Sequence, residues 1–405
     1  MMLSLAWRNL WRNPRRTVIS LSALSLGVMA IISIHSYRES AYGQLIADIT
    51  AGLVGHFQVH GQGYQLEPEL SNVVRDPVAV EAALATALPN AKPVRRVLGY
   101  GLAGSGEASA AALIMGIQPD REREGTPLLE VKLGRGLTEG AAREAVIGTE
   151  LAAQLEARPG SELVLVGQAA DGSVANDRYT IVGIVDGGSS EMNASAVFLT
   201  LKDAQDFFGL GEGVHQVLVR LPTNEEDLSL PEASLRAALD VKTLEVLSWS
   251  EMMPELKGMM EQKRKSQHVV DYIVFLIVAL GVFNAMTMST FERTREFGVM
   301  ASLGSRPRRI VGLVLTESAL QGALGLAIGL ALALALLYGI GTMTITAVQG
   351  SDIMGVRFPP TIVLKLNYAA VGNAALTALL TVVAGGLWPA VRAARLKPAE
   401  AARHV

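Results

Sequence analysis

Glu292, Arg293, Arg295 and Glu296 lie within five consecutive positions, and Phe297 follows directly. Charges of both signs beside an aromatic ring suit ion pairing and ring contact with another protein surface, rather than bond making. By residue type alone the same stretch also reads as a solvated loop obeying the positive-inside rule. The groups that catalysis needs are missing or misplaced. There is no cysteine, which excludes disulfides, thiol catalysis and cysteine metal sites. None of the nine lysines follows a glycine, so no phosphate-cradling G-x-x-x-x-G-K-[ST] loop exists. His56 and His60 form the one close histidine pair. In a strand they share a face about 13 Å apart, too far for one metal, and read as ordinary surface or core histidines. No G-x-S-x-G elbow appears either. The chain is expected to be non-catalytic, with no cofactor or metal of its own.

Half of the 405 residues are hydrophobic and only 5% are aromatic, with a mean hydropathy of +0.33. Such aliphatic blocks suit a chain that is part lipid-embedded and part soluble. Four stretches reach the roughly 20 apolar residues that a crossing helix needs: residues 17–36, 269–291, 310–341 and 368–388. The first follows a basic start. Its apolar run is long for a signal peptide and no small-x-small cleavage site follows, so it reads as an uncleaved anchor. Arg8, Arg12, Arg15 and Arg16 precede it without an acid. Arg293, Arg295, Arg306, Arg308 and Arg309 outnumber Glu292 and Glu296 in residues 292–309, and Arg392, Arg395, Lys397 and Arg403 dominate the tail. Residues 38–268 carry 20 basic and 32 acidic residues, a net of −12. All three basic segments are therefore expected in the cytoplasm, which an even number of spans allows.

The spans divide the rest. Residues 1–16 read as a cytoplasmic amphipathic elbow helix: Leu3, Trp7, Leu10 and Trp11 recur at helical spacing, and Pro14 favours a break before span 1. Residues 37–268 form a periplasmic α+β domain, read as two lobes, the more strand-rich one near 105–220. Strands are expected near 55–60, from 144 up to the helix at 149, and near 162–166, 179–185, 196–200 and 214–221, with helices near 77–88, 149–157, 201–209 and 231–240. Residues 251–267 run as a helix into span 2 with no break, projecting about 25 Å if continuous. Residues 342–367 are a short periplasmic loop and 389–405 the cytoplasmic tail. Asn284 and Glu317 are polar positions within spans, where lipid exposure is costly, while Asp271 is expected to face water. Gly325 and Gly329, with Gly322 on the same face, suit close helix packing.

The stretch Phe291-Glu-Arg-Thr-Arg-Glu-Phe-Gly-Val-Met-Ala-Ser-Leu-Gly-Ser-Arg-Pro-Arg-Arg-Ile310 resembles the cytoplasmic coupling segment of the FtsX/MacB-type ABC permeases. Ala6-Trp-Arg-Asn-Leu-Trp-Arg-Asn-Pro-Arg-Arg-Thr17 is similar to that family's basic elbow, and residues 389–401 to its tail. Residues 145–152, 180–185 and 198–205 resemble its extracytoplasmic domain. The resemblance implies four transmembrane α-helices with a large extracytoplasmic α+β domain, a MacB-like periplasmic core, between helices 1 and 2. It implies a bacterial inner-membrane permease without ATPase activity, working as a pair with a second permease subunit, identical or homologous, above a cytoplasmic ABC ATPase dimer that binds ATP and Mg. It further implies that Glu292, Arg293, Thr294, Arg295, Glu296 and Phe297 dock into a groove on that ATPase, with Phe297 filling it.

Within the family, length, layout and Gly27-Val-Met-Ala30 resemble the lipoprotein-releasing Lol permeases. The implied work is extraction of lipoproteins from the outer leaflet, with Met29, Ile32, Ile273, Val274 and Ile277 as candidate walls of an acyl groove. A MacB-like exporter of peptides or small molecules with a periplasmic adaptor, and an FtsX-like mechanotransmitting regulator, stay open. The turn at residues 168–177 is short and lacks proline, unlike the hook by which one Lol subunit recruits its soluble carrier. Membrane lipids are expected partners, and nucleic acid is not.

Overall fold

The computed structural model describes residues 2–123, 130–222, 228–303, 305–344, 352–353, 356–357 and 361–394. The tail arginines and lysine beyond 394, and most of the expected loop 342–367, lie outside the described residues. The chain divides into a helical unit (residues 1–42, 260–344 and 361–405) and a mixed α/β unit (residues 43–259 and 345–360). In chain order the elements begin with α1 (Met2–Leu10), α2 (Pro14–Asp48), a π-helix (Ile49–Leu53), β1 (Phe57–Gly61), α3 (Pro77–Ala87), β2 (Lys92–Ser105), β3 (Ala108–Ile117) and α4 (Pro119–Arg123). There follow β4 (Glu130–Gly134), β5 (Glu144–Gly148), α5 (Thr149–Gln154), β6 (Glu162–Gln168), β7 (Val174–Asp186), α6 (Ser190–Ser195), β8 (Ala196–Thr200) and α7 (Leu201–Phe208). The rest are β9 (Gln216–Arg220), α8 (Ser229–Ala238), β10 (Leu244–Ser248), α9 (Trp249–Met252), α10 (Pro254–Glu292), α11 (Thr294–Ser302), α12 (Pro307–Ile340), four short strands between 342 and 363, and α13 (Tyr368–Ala394).

In the α/β unit one hydrogen-bonded ladder runs β10-β1-β9-β2-β3-β8-β5-β7-β4, and β6 pairs with both β2 and β7. The two expected lobes share strand β2: residues 92–96 pair with β9, and residues 101–104 pair with β6. Local chemistry sets the element ends. Asp76 accepts from Ala79 N at 2.9 Å to start α3, with Pro77 in the first turn. Thr200 caps α7, and Gly209 ends it at φ +65°, a left-handed conformation that suits glycine. Met115, Ile117, Val146, Val185, Ala196 and Phe198 form the apolar core.

A charged triad is sealed into the same unit. Arg96 on β2 donates from Nε to Glu122 Oε1 at 2.6 Å and from Nη2 to Oε2 at 3.0 Å. Arg220 on β9 donates to Glu122 Oε2 at 2.5 Å. All three side chains are at most 7% exposed. Arg96 Nη2 also bonds the Gly52 carbonyl at 2.6 Å, tying the π-helix to the sheet. Burial alone would raise the Glu122 carboxyl, but the Arg96 and Arg220 guanidiniums prevail and hold it below the usual carboxylate range.

His60 is fully buried on β1, its Nε2 2.7 Å from Gln58 Oε1, and the Tyr64 ring meets it edge-on. Burial, with His215 nearby, pushes its imidazole down to about 4, so it is neutral at pH 7. An unfolded chain protonates this ring near pH 6.5, so between about pH 6.5 and 4 the unfolded state binds more protons. Folded stability is whole above that window and falls as pH drops through it, by about 2 kcal/mol at pH 5. Glu122 acts in the same direction, since a lowered carboxylate stabilises above its unfolded value and loses that as pH falls through the folded one. Urea unfolding followed by Trp249, the unit's one tryptophan, should therefore show a lower midpoint at pH 5 than at 7.5. His60→Gln should shrink the difference, and equal midpoints in the unmodified chain would refute this account.

In the helical unit three helices among the described residues are long and apolar enough to cross a membrane: residues 17–52, 307–340 and 368–392. The expected second span, 269–291, falls inside α10, several of whose side chains lie outside the described residues. Leu24, Val28 and Ile32 from α2 pack with Met286 from α10, Ala333 and Leu337 from α12, and Ala374 and Ala378 from α13. The glycines of α12 make this approach possible. A Cβ on Gly325 would fall 2.4 Å from Leu24, and one on Gly329 2.7 Å from the Ser25 carbonyl. Pro389 sits inside α13 and removes one rung of its backbone ladder. Asp271, expected to face water, instead meets His35 Nε2 at 2.9 Å, and Arg38 contacts the other ring nitrogen at 3.2 Å. Asn284 is exposed on the single chain.

Candidate coupling site

The helix break that creates the site lies at Arg293, between the end of α10 and the start of α11. Thr294 stabilises the bend, its hydroxyl donating back to the Phe291 carbonyl at 2.8 Å. Helix α11 then runs along the end of the bundle with two different faces. Phe297, 1% exposed, packs with Ile310 and Val314 of α12 and Ala390 of α13. Arg295 and Val299 lie on the exposed face, with Arg306, Arg308 and Arg309 exposed beyond it.

Arg293 points inward. Its Nη1 donates to both oxygens of Glu317 on α12, at 2.8 and 2.9 Å, and its Nε donates to Glu296 at 3.0 Å. The guanidinium also lies 5.1 Å from the centre of the Phe297 ring. Glu317 receives a third bond from Asn9 Nδ2 at 2.6 Å. Such a two-pronged pair fixes the direction as well as the position of both side chains. Glu296 is shared with Arg12 at 2.5 Å. Partial burial would raise the Glu296 carboxyl, but hydrogen bonds from Arg12 and Arg293 hold it below the usual range. Asn13 donates to Glu292 at 2.9 Å. These groups surround a polar pocket of about 50 Å³ lined by Asn9, Asn13, Arg293, Glu317 and Gln321. Arg392 lies over the rings of Phe291 and Trp388, at 4.7 and 5.1 Å.

Of the six residues expected to dock, Glu292 and Arg295 are exposed and Glu296 is half-exposed. Arg293 and Thr294 are spent within the chain. Phe297 corrects the expectation that it fills a partner's groove: its ring is used to seat α11 on α12. Among the candidate groove walls, Ile32 is fully buried in the helical core, and Met29 and Val274 pack against that core. Ile273 and Ile277 alone of the five are turned outward, at 52% and 64% exposed. Ile32 therefore does not line an open groove in this chain, because helix packing covers it. Sequence reasoning missed Asn9, Arg12 and Asn13 as partners of the coupling residues. Their signal was complementarity: a basic, amide-bearing stretch at residues 8–16 and the glutamates Glu292 and Glu296.

The MacB-like periplasmic core domain model matches residues 17–236, more than half of the chain, and the FtsX-like permease C-terminal model matches residues 269–398. The pyoverdine export ATP-binding/permease protein PvdT of Pseudomonas aeruginosa PAO1 is 27% identical over 98% of this chain and 57% of its own length. The chain thus spans little more than half of that relative. The lipoprotein-releasing system transmembrane protein LolC of Neisseria meningitidis is 21% identical over 96% of this chain and 94% of its own length. The periplasmic region of MacB from Actinobacillus actinomycetemcomitans overlays 54% of this chain at 14% identity and a TM-score of 0.38, too low to carry an argument. On the family matches to both parts of the sequence, the chain belongs to the FtsX/MacB-type ABC permeases, with LolC and PvdT among its homologues.

Proposed function

We propose that this chain crosses the inner membrane four times, with both termini and residues 292–309 in the cytoplasm. It couples a separate ATPase, which binds ATP and Mg, to conformational change in the periplasmic α/β unit. Arg295 carries the coupling reading: it is exposed on a helix that Phe297 and Arg293 pin from behind, and it makes no hydrogen bond or ion pair among the described residues. A charge held rigidly and left unused is suited to a partner's groove. Arg295→Glu is expected to lower permease-stimulated ATP hydrolysis about tenfold, the effect of about 1.4 kcal/mol at an interface. The variant's thermal unfolding should match that of the parent. An unchanged rate would argue against docking through this face.

The work performed is extraction of lipoproteins from the outer leaflet, by a pair of permease subunits. Similarity to LolC along nearly the whole length of both chains supports this reading. Ile273 and Ile277, exposed on α10, remain the available groove walls. A second reading, export of a small molecule or peptide with a periplasmic adaptor, is favoured by the similarity to PvdT. Purification from native membranes, followed by mass spectrometry of co-purifying proteins and acylated peptides, separates them. An ATPase with acylated lipoproteins supports extraction, whereas an ATPase with an adaptor and no acylated cargo supports export. The absence of any ATPase would overturn both.

A further inference from the structure

Helix α1 and the turn after it make three polar contacts that a membrane anchor does not need. An anchor requires only its exposed Trp7 and Trp11 in the headgroup layer and its flanking arginines. Yet from α1 and the turn after it, three side chains reach three different parts of the coupling machinery. Asn9 bonds Glu317 on α12 at 2.6 Å, Arg12 bonds Glu296 on α11 at 2.5 Å, and Asn13 bonds Glu292 at the end of α10 at 2.9 Å. Beside Asn9, Ala6 and Leu10 are buried, and the helix packs along α12. The same end is tied to α2, where the Thr17 hydroxyl donates to the Leu10 carbonyl.

We propose that α1 is a driven element of the coupling machinery, with Asn9, Arg12 and Asn13 as positioning residues that tie it to α12, α11 and the end of α10 in turn, so that displacement of α11 together with the helix ends beside it passes directly into α2. This rests on the coupling role proposed above. The physical reason lies in the kind of contact. Where α2 meets α12, glycines fit closely around Leu24 and Val28, an apolar contact that ties α2 to α12. Hydrogen bonds to three carboxylates are directional, and a shift of a few ångströms breaks them. The α1 contacts are thus the place where sliding of α11 is converted into movement of α2. Arg12 and Glu296 are both substantially exposed, so their pair is weak alone and acts through its company with Asn9 and Asn13.

The test uses the assembled permease–ATPase complex in nanodiscs, reading ATP hydrolysis relative to the ATPase alone and the amount of ATPase retained. The combined Asn9→Ala, Arg12→Glu, Asn13→Ala variant should lose about fivefold or more of the stimulated rate, the lower end of ordinary coupling, with the ATPase still bound. Measured against Arg12→Glu alone, the conservative exchange Arg12→Lys should return the rate to within about twofold of the parent, because it keeps a cation for Glu296. The chain has no cysteine, so Asn13→Cys with Glu292→Cys can be bridged cleanly by a short bis-thiol reagent. The bridged complex should keep the stimulated rate of the same double-cysteine chain before bridging, because two parts that move together lose nothing by being joined. Full stimulation in the combined variant, no rescue by the exchange, or loss of the rate on bridging would each overturn the proposal. Failure of the underlying coupling reading would show earlier, as an unmodified chain that neither retains nor stimulates an ATPase, and the proposal would fall with it.

Discussion

Glu122→Gln is expected to destabilise the α/β unit by about 3–5 kcal/mol, the usual penalty for breaking a buried ion pair from one side. The size follows from what remains. Arg96 and Arg220 are both buried against Glu122, so loss of the one carboxylate between them leaves two facing guanidiniums without a counter-charge. The amide oxygen can still accept, but the NH2 that replaces the other oxygen is a donor facing donors, and neither charge is offset. Arg96 also loses its alignment toward the Gly52 carbonyl, so the π-helix should loosen with it. Urea unfolding followed by Trp249 reads the global loss, and hydrogen exchange at residues 49–53 reads the local one. A midpoint within error of the parent would mean the triad contributes no net stability. Unfolding of the chain outright would be consistent with the upper end of the range, since whole domains are stable by only about 5–15 kcal/mol.

Arg293→Met should be comparably damaging to the helical unit. It leaves Glu317, 8% exposed in its side chain, with only the Asn9 amide for company. The expected loss is again about 3–5 kcal/mol, together with most of the permease-stimulated ATP hydrolysis, because α11 loses the contact that aims it. Replacing both partners, Arg293→Met with Glu317→Leu, should recover most of the stability, since a well-packed apolar pair often replaces a buried ion pair at no cost. Thermal unfolding of the full chain in nanodiscs checks the cycle. A double variant no more stable than Arg293→Met would show that Glu317 holds the unit through Asn9 and not through Arg293.

These two clusters mark the limit of what can be read from the chain alone. The apolar blocks and the charge partition identify the membrane helices and the break at 293, because span length and local charge are properties of contiguous residues. The glycines of α12 were visible for the same reason. The triad was not: Arg96, Glu122 and Arg220 lie on separate elements far apart in the chain, and nothing local to any of them announces the others. Strands β2 and β3 were missed because their pairing runs through Gly99, Gly101, Gly104 and a run of alanines, residues with weak strand preference that are held by their neighbours. Strand β10 was missed because only pairing with β1 defines it. At the coupling segment residue types were legible but directions were not. Phe297 and Arg293 look as available as Arg295 in a one-dimensional reading, yet helical geometry turns the first two inward.

The strand order has a consequence for how the molecule is made. All five residues of β1 are buried, and the strand leaves the ribosome soon after α2. Its two neighbours, β9 and β10, are encoded far downstream, and 187 residues separate Gly61 from Ser248. At roughly 5–20 residues per second, a strand destined for burial and with both edges open waits about 10–40 s for its partners. Pairings so distant in sequence close slowly, and unpaired edges are where chains join to one another by mistake. Biogenesis of this protein therefore has a vulnerable interval that opens as β1 is translocated and closes only when β10 arrives, just ahead of α10. Overproduction should fail first at that step, by aggregation outside the membrane, before membrane insertion itself becomes limiting.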